Sequence, residues 1–316
     1  ARSSDKIAAR ASCRSSGMNR INKTLACLDD IRQQTSAKGV DVEEELDAIR
    51  KKIRRAANIA ESWQLVKAAR DPLRFRSQDL IAGIFEDFIE LHGDRFYGDD
   101  RAIIGGIGFL EGLPVTIIAN QKGFNLKDTI ACNAGMGSPE GYRKALRLAR
   151  QAEKFGRPVI TFVDTLGSYP SLESEGRGIA EAIATNLREF TNLKTPLVCI
   201  VVGEGGSGGA LGLCVGDRIF MLENSYFSVI TPEGFASLVL HDESQRKQAA
   251  AIMRIGPQDM LDAGFCDGII SEHENGRNLA VSELCLRIKQ LLVLEINALV
   301  QDDHLIESRN ARYDSF

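Results

Sequence analysis

The sequence predicts an α/β protein whose largely parallel sheet is covered by helices. From about residue 102 onwards, short apolar strands alternate with amphipathic helices, the pattern of βα units joined by right-handed crossovers. The segment Leu197–Val202 is apolar throughout, as expected of a strand buried on both faces. It runs directly into Gly203–Gly209, where five of seven residues are glycine. In such folds the loops at the carboxyl ends of the strands form the site, so we expect the site at this edge.

Composition excludes several classes of protein. The chain has 316 residues, 44% of them hydrophobic, which is enough for a large core. The formal net charge of −4 disfavours a nucleic-acid groove, and no apolar run approaches the ~20 residues of a membrane helix. The seven cysteines form no CxxC pair. We therefore expect reduced thiols, a cytoplasmic location, no metal on this chain and no contact with membrane or nucleic acid.

The front of the chain is expected to be helical. Residues 1–17 have the composition of a tag or leader scar, with Met18 as a candidate native start. Residues 18–95 are predicted to form a helical N-terminal extension containing helices over Asp41–Arg70 and Ser77–Leu91. This extension is too polar to stand alone, so we expect it to pack on the main domain or on a partner.

The main domain is predicted over residues 96–275, with a C-terminal helix and tail over 276–316. A hairpin turns at Glu111-Gly112, between strands Ile103–Leu110 and Pro114–Gln121. Ser138 and Pro139 mark the start of a helix that ends near Phe155. The remaining predicted elements are strands Pro158–Asp164, Pro196–Val202 and Arg218–Leu222 and helices Glu175–Phe190, Gly208–Val215 and Leu279–Leu299.

The glycine segment is the strongest candidate for chemistry. If a helix begins at Gly208, its first N–H groups have no acceptor within the helix. Such donors can hold a phosphate or stabilise an oxyanion that forms during a reaction. Valine at Gly208 or Gly209 is expected to abolish turnover, because it would crowd these amides and disfavour a glycine-type backbone.

Three alternatives remain open for this segment. Gly203–Gly208 satisfies the GxGxxG pattern of nicotinamide dinucleotide binding, with Glu223 as a weak match for the acid that follows. Ser207 lies in a GxSxG frame, for which Asp217 and His241 would have to complete a hydrolytic triad. The third alternative is a glycine turn used only for close packing.

Several blocks, in order and at consistent spacing between about residues 41 and 270, resemble one family. The chain is similar to the α subunit of the bacterial-type, multi-subunit acetyl-CoA carboxylase carboxyltransferase. The matching blocks are Glu90-Leu91-His92-Gly93-Asp94-Arg95, Gln121-Lys122-Gly123, Gly137–Leu148, Asp164-Thr165 with Gly167, Tyr169 and Pro170, Asn186-Leu187-Arg188-Glu189, Gly203–Leu211 and Ser228–Gly234.

The resemblance implies a crotonase-like (ClpP/crotonase) fold with repeated ββα and βα units. It implies transfer of the carboxyl group of carboxybiotin to acetyl-CoA, forming malonyl-CoA in the first committed step of fatty acid synthesis. By similarity, the N–H groups of Gly208 and Gly209 form the oxyanion hole for the ureido carbonyl. The cofactor-binding residues implied are Gly205, Gly206, Gly167, Ser168 and Tyr169.

The resemblance also implies partners. The expected assembly is an α2β2 heterotetramer in which the β subunit carries zinc and binds the CoA thioester. A biotin carboxyl carrier protein and a biotin carboxylase complete the enzyme.

The sequence departs from the family pattern at Leu166, Ser168 and Ser171. These departures leave open a divergent paralogue with another acyl-CoA, or a non-catalytic scaffold subunit. The alternative from another enzyme class is a nicotinamide-dependent oxidoreductase using the GxGxxG-like segment.

Overall fold

A computed structural model describes residues 21, 23–35 and 41–314, so the expectations for residues 1–17 and Met18 lie outside the described residues. Helix α1 covers residues 23–35 and is followed by α2, Glu43–Ala69, and α3, Ser77–Ile84. The remaining helices are α4 Leu126–Ala131, α5 Pro139–Lys154, α6 Leu172–Gly176, α7 Ile179–Thr191, α8 Ser207–Leu211, α9 Pro232–Leu238, α10 Arg246–Met253, α11 Pro257–Asp262, α12 Val281–Val300 and α13 Leu305–Asp314.

The sheet is parallel at its centre and antiparallel at one end. Its order is β1-β2-β3-β4-β5-β6-β8, and β7 pairs with the end of β5. The strands from β1 to β3 run antiparallel, and every later pairing in this sheet is parallel. The strands are β1 Glu86–Glu90, β2 Ile103–Leu110, β3 Leu113–Asn120, β4 Val159–Thr165, β5 Leu197–Gly206, β6 Arg218–Leu222, β7 Tyr226–Ser228 and β8 Gly268–Ile270, with a separate pair β9 His273–Glu274 and β10 Arg277–Asn278. The predicted α/β class with a parallel sheet is therefore confirmed.

The sheet is buried on both faces. Tyr142 and Leu148 of α5 and Phe190 of α7 belong to the core cluster on one face. Leu80 of α3 and Ile288 of α12 belong to the cluster on the other. All ten residues of β5 are buried, as its unbroken apolar sequence predicts.

The helical extension packs on the main domain through the last part of α2. Val66 and Ala69 are fully buried in a cluster with Tyr226 of β7 and with Ala250 and Ile255. The polarity of the rest of α2 is that of an exposed helix face.

Three predicted helices differ from the structure, and the helix expected over Gly208–Val215 covers only Ser207–Leu211. The helix expected over Ser77–Leu91 ends at Ile84, because Phe85 is extended and Glu86–Glu90 pairs with β2 as an edge strand. The apolar spacing up to Phe88 suits either state, and pairing with β2 decides between them. The helix expected over Glu175–Phe190 is divided into α6 and α7 by Gly178, whose φ is 81°.

A buried ion pair closes the amino-terminal edge of the sheet. Arg309 of α13 donates from Nε and Nη2 to the two carboxylate oxygens of Asp217, each at 2.7 Å. Its Nη1 donates to the carbonyl oxygens of Phe190 and Leu193. The pair is excluded from water, with Arg309 only 1% exposed.

None of the described helices is long and apolar enough to cross a lipid bilayer. Within the described part of the chain, no three His, Cys, Asp or Glu side chains are grouped so that they could hold a metal ion.

Candidate active site

The candidate site begins with a strained turn between β5 and α8. Ser207 has φ of 53°, in the left-handed region that residues other than glycine rarely adopt. The segment Gly203–Gly206, expected to be loop, is instead the end of β5, because it pairs with β7. A strained residue between a buried strand and a helix is typical of functional sites.

The first turn of α8 leaves main-chain donors unused. The N–H groups of Gly208 and Gly209 lack acceptors within the helix, and among the described residues no hydrogen bond outside it is donated by either group. The carbonyl oxygen of Gly208 accepts from Gly212 N at 2.9 Å, which fixes the peptide plane that carries the Gly209 N–H. The buried hydroxyl of Tyr142 donates to the Gly209 carbonyl oxygen at 3.0 Å. Gly208 is half-buried and Gly209 is buried.

The loop after β4 lies against this turn. A Cβ atom added at Gly209 would come within 2.7 Å of the carbonyl oxygen of Gly167, and one at Gly206 within 2.9 Å of the Gly167 nitrogen. A Cβ at Gly208 would meet only Ile183 Cγ2, at 3.8 Å. Backbone contact between the two segments therefore requires glycine at Gly206 and Gly209 but not at Gly208.

The structure corrects one reason given for these glycines. Neither Gly208 nor Gly209 has positive φ, so neither needs a glycine-type backbone. The residue with the unusual conformation is Ser207, which the sequence marks only as the serine of a GxSxG frame.

The structure brings together all seven sequence-predicted site residues. Gly205 pairs with Thr165 across β4 and β5, and Ser168 bridges to Gly137. The N–H of Tyr169 donates to the carbonyl oxygen of Gly137 at 2.9 Å. The seven residues therefore lie close together at the carboxyl edge of the sheet.

Hydrogen bonds hold the loop despite its departures from the family pattern. The hydroxyl of Thr165 donates to the Gly167 carbonyl oxygen at 2.7 Å and accepts from the Gly167 N–H at 3.1 Å. Ser171 caps α6, where its hydroxyl oxygen accepts from Ser174 N at 3.0 Å. The turn around Leu166 is thus held by the hydrogen bonds between its two neighbours.

A buried cluster of charged side chains lies at the end of β5, and the sequence did not predict that these residues meet. Lys122 Nζ lies 2.7 Å from Asp164 Oδ1 and 2.7 Å from Glu204 Oε1, and Arg70 Nε lies 2.7 Å from Glu204 Oε2. Burial would raise the pKa of Glu204, but the charges of Lys122 and Arg70 outweigh it and hold that pKa below its usual range. The available signal was one charged residue at or just after the carboxyl end of each of β3, β4 and β5.

The hydrolytic alternative is wrong, because its three residues do not meet. Asp217 is held by Arg309 at the amino edge of the sheet, opposite the end of β5 where Ser207 lies. His241 is exposed, beyond α9.

The dinucleotide alternative finds little support in the geometry. Glu223 Oε2 already accepts from Ser271 Oγ at 2.8 Å and from Glu272 N at 3.0 Å. The helix after the glycines has only five residues.

Comparison with known proteins agrees with this geometry. A family model described as acetyl co-enzyme A carboxylase carboxyltransferase-like matches residues 18–316. The acetyl-coenzyme A carboxylase carboxyl transferase subunit alpha of Treponema denticola is 53% identical over 276 residues, which are 87% of this chain and 90% of that protein. The subunit of the same name from Halalkalibacterium halodurans is 46% identical over 296 residues, 92% of this chain and 90% of the other.

Solved structures share the fold at low identity. A transcarboxylase 12S structure aligns with a TM-score of 0.58 at 18% identity, covering 72% of this chain but only 44% of that one. A Pseudomonas malonate decarboxylase hetero-tetramer aligns with a TM-score of 0.56 at 17% identity, covering 69% and 89%. These alignments show a shared fold, and the predicted crotonase-like fold is confirmed. With the match across residues 18–316, the chain belongs to the acetyl co-enzyme A carboxylase carboxyltransferase-like family.

Proposed function

We propose that this chain is the biotin-facing subunit of an acetyl-CoA carboxylase carboxyltransferase. The observation that carries the proposal is the pair of adjacent main-chain donors at Gly208 and Gly209, which have no acceptor among the described residues. In a carboxyl transfer of this kind, carboxybiotin on a carrier protein supplies the carboxyl group and acetyl-CoA receives it.

The turn suits an oxyanion that develops during the reaction. The donors are fixed before any ligand arrives, by the Gly212 N–H from within α8 and by Tyr142 beneath it. Preorganised N–H groups of this kind each contribute about 2.7–4 kcal/mol of transition-state stabilisation. Gly208 and Gly209 would bind the ureido carbonyl oxygen as negative charge gathers there.

The neighbouring glycines and the facing loop pack directly beside these donors. The backbone at Gly205 and Gly206 carries no side chains, and Gly167, Ser168 and Tyr169 line the opposite side of the turn. We assign these five residues to binding the bicyclic group. The nearby carboxylates of Asp164 and Glu204 are engaged by Lys122, so proton abstraction from acetyl-CoA need not involve them.

An apolar rim supports a partner at this same edge. Large hydrophobic side chains are exposed on segments that follow β3, β4 and β7, where the parallel strands end. The rim consists of Phe124, Leu126, Ile130, Leu172 and Val229. Apolar exposure of this kind marks an interaction surface. We assign it to a β subunit that binds the CoA thioester and carries the zinc, in an α2β2 assembly that works with a biotin carboxyl carrier protein and a biotin carboxylase in the cytoplasm.

The test is malonyl-CoA formation by this chain co-expressed with its β partner. Acetyl-CoA and carboxylated biotin are supplied, and product is measured by mass spectrometry. We expect turnover that requires both subunits. An assembled complex without turnover would leave a scaffold role, and saturable binding of a reduced nicotinamide cofactor to the chain would favour the oxidoreductase alternative.

A further inference from the structure

The carboxylate of Glu204 lies at the centre of a buried cluster that the proposed chemistry does not use. Its side chain is 4% exposed. Oε1 accepts from Lys122 Nζ at 2.7 Å, and Oε2 accepts from Arg70 Nε at 2.7 Å and from the hydroxyl of Tyr226. A buried carboxylate with three donors is held in one position.

Glu204 lies at an irregularity of β5, three residues before the strained Ser207. Val163 of β4 pairs with Val201, and Thr165 pairs with Gly205, so β5 has three residues where β4 has only Asp164. The Asp164 carboxylate spans this bulge, because Oδ1 accepts from Glu204 N at 2.9 Å and lies 2.7 Å from Lys122 Nζ. A bulge bends its strand, and here β5 keeps its pairing with β4 but changes its partner on the other side from β6 to β7.

Two arginines, at and just after the end of α2, also contact the bulged part of β5. Arg70, the residue that ends α2, also lies 2.8 Å from Glu233 Oε1 and donates to Tyr226. Arg74 Nη2 donates to the carbonyl oxygen of Val202 at 2.7 Å. Arg74 therefore holds the backbone of β5 just before the glycines, and Arg70 holds the Glu204 side chain.

We propose that Glu204, clamped by Lys122 and Arg70, is a positioning residue for carboxyl transfer. It fixes the bulged end of β5 and, through that, the N–H donors of Gly208 and Gly209. The inference rests on the proposed function of those donors. Replacing a buried ion cluster by apolar side chains often costs a protein no stability, so a cluster at a single bulge is better explained by conformational precision.

The decisive variant is Glu204→Gln in the complex with the β subunit, because it keeps the shape and removes the charge. A displacement of the donors by about 1 Å can cost about 100-fold in rate, so we expect kcat to fall by about 10- to 100-fold. The KM for acetyl-CoA should change by less than about twofold, since Glu204 does not touch the substrate. Amide hydrogen exchange of residues 204–211, measured by mass spectrometry, should become faster.

The matched control is Asp217→Asn. It also breaks a buried ion pair, but at the opposite edge of the sheet. We expect it to lower thermal stability at least as much as Glu204→Gln, while kcat and exchange in residues 204–211 stay at the wild-type values. If both variants lose kcat in proportion to stability, or if Glu204→Gln alters neither kcat nor exchange, the positioning role is refuted.

Two further variants keep the test decisive if Glu204→Gln fails to fold. Tyr226→Phe removes a single donor, and we expect about a three- to fivefold loss of kcat with faster exchange at the turn. Arg70→Met removes a partner of Glu204 while the carboxylate stays in place, and we expect it too to lower kcat with faster exchange at the turn. A wild-type complex without malonyl-CoA formation would refute the proposed function, whereas the exchange comparison would still decide whether Glu204 holds the turn.

Discussion

Replacing Gly209 by alanine adds one methyl group and tests whether the close backbone contact at Gly209 holds the N–H donors in position. The Cβ of Gly209→Ala would collide with the Gly167 carbonyl carbon and the Ser168 nitrogen and would lie 2.7 Å from the Gly167 carbonyl oxygen, whereas ordinary contacts are 3.4–4 Å. The turn and the facing loop must therefore move apart by at least about 1 Å, at a cost of about 1–3 kcal/mol or more in stability. A shift of that size at preorganised donors is expected to lower kcat by about 100-fold, or about 2.7 kcal/mol.

Gly208→Ala is the matched control for this prediction. Its Cβ would have only Ile183 Cγ2 nearby, at 3.8 Å, and its φ is not positive. Alanine in a helix is more stable than glycine by up to about 1 kcal/mol, so this variant should fold at least as well as the wild type.

The assay compares malonyl-CoA formation and urea unfolding for both variants, assembled with the β subunit. We expect Gly209→Ala to lose far more turnover than Gly208→Ala. If Gly209→Ala retains turnover within about threefold of the wild type, the contact with Gly167 does not hold the donors and the reasoning fails.

Four other outcomes are expected. Tyr142→Phe should lower kcat by about fivefold, since the net value of one such hydrogen bond is about 1 kcal/mol, and its KM should not change. Arg309→Met should destabilise the fold by about 3–5 kcal/mol in urea, because it leaves a buried carboxylate unpaired. Leu126→Asp should weaken β-subunit binding at least about tenfold by calorimetry, whereas Leu294→Asp on α12 should not. The lowered pKa of Glu204 means that its stabilisation is complete above the unfolded value of 4.5 and is lost as pH falls through the folded value. The stability difference between wild type and Glu204→Gln should therefore shrink below about pH 4.5, measured by urea unfolding from pH 7 to 3.

Much of the fold is visible in local patterns. The apolar run of β5 and the helix start at Ser138-Pro139 each carry a strong local signal, and the structure places β5 and α5 there. The edge strand β1 carries no such local signal, because its pairing with β2 is a tertiary contact and its residues are largely exposed. A pattern of period 3.6 can continue across a strand boundary when the strand buries so little.

The glycine segment points to the site, but not to what holds it. Gly209 has no room for a side chain, whereas Gly208 does, because Gly209 contacts a loop about 40 residues earlier in the chain. Arg70, Lys122 and Glu204 likewise come from three separate segments, and in the sequence each resembles an ordinary surface charge. They meet only because the topology brings the ends of β3, β4 and β5 to one edge and packs the end of α2 beside it.

The distance in sequence between Asp217 and Arg309 imposes an order on folding in the cell. The carboxylate stands just before β6, at the amino edge of the sheet, yet the guanidinium that neutralises it is synthesised 92 residues later. While the ribosome is still translating, the growing chain can pair its strands but must leave this acid in water. Final closure of the core thus waits until α13 has been synthesised.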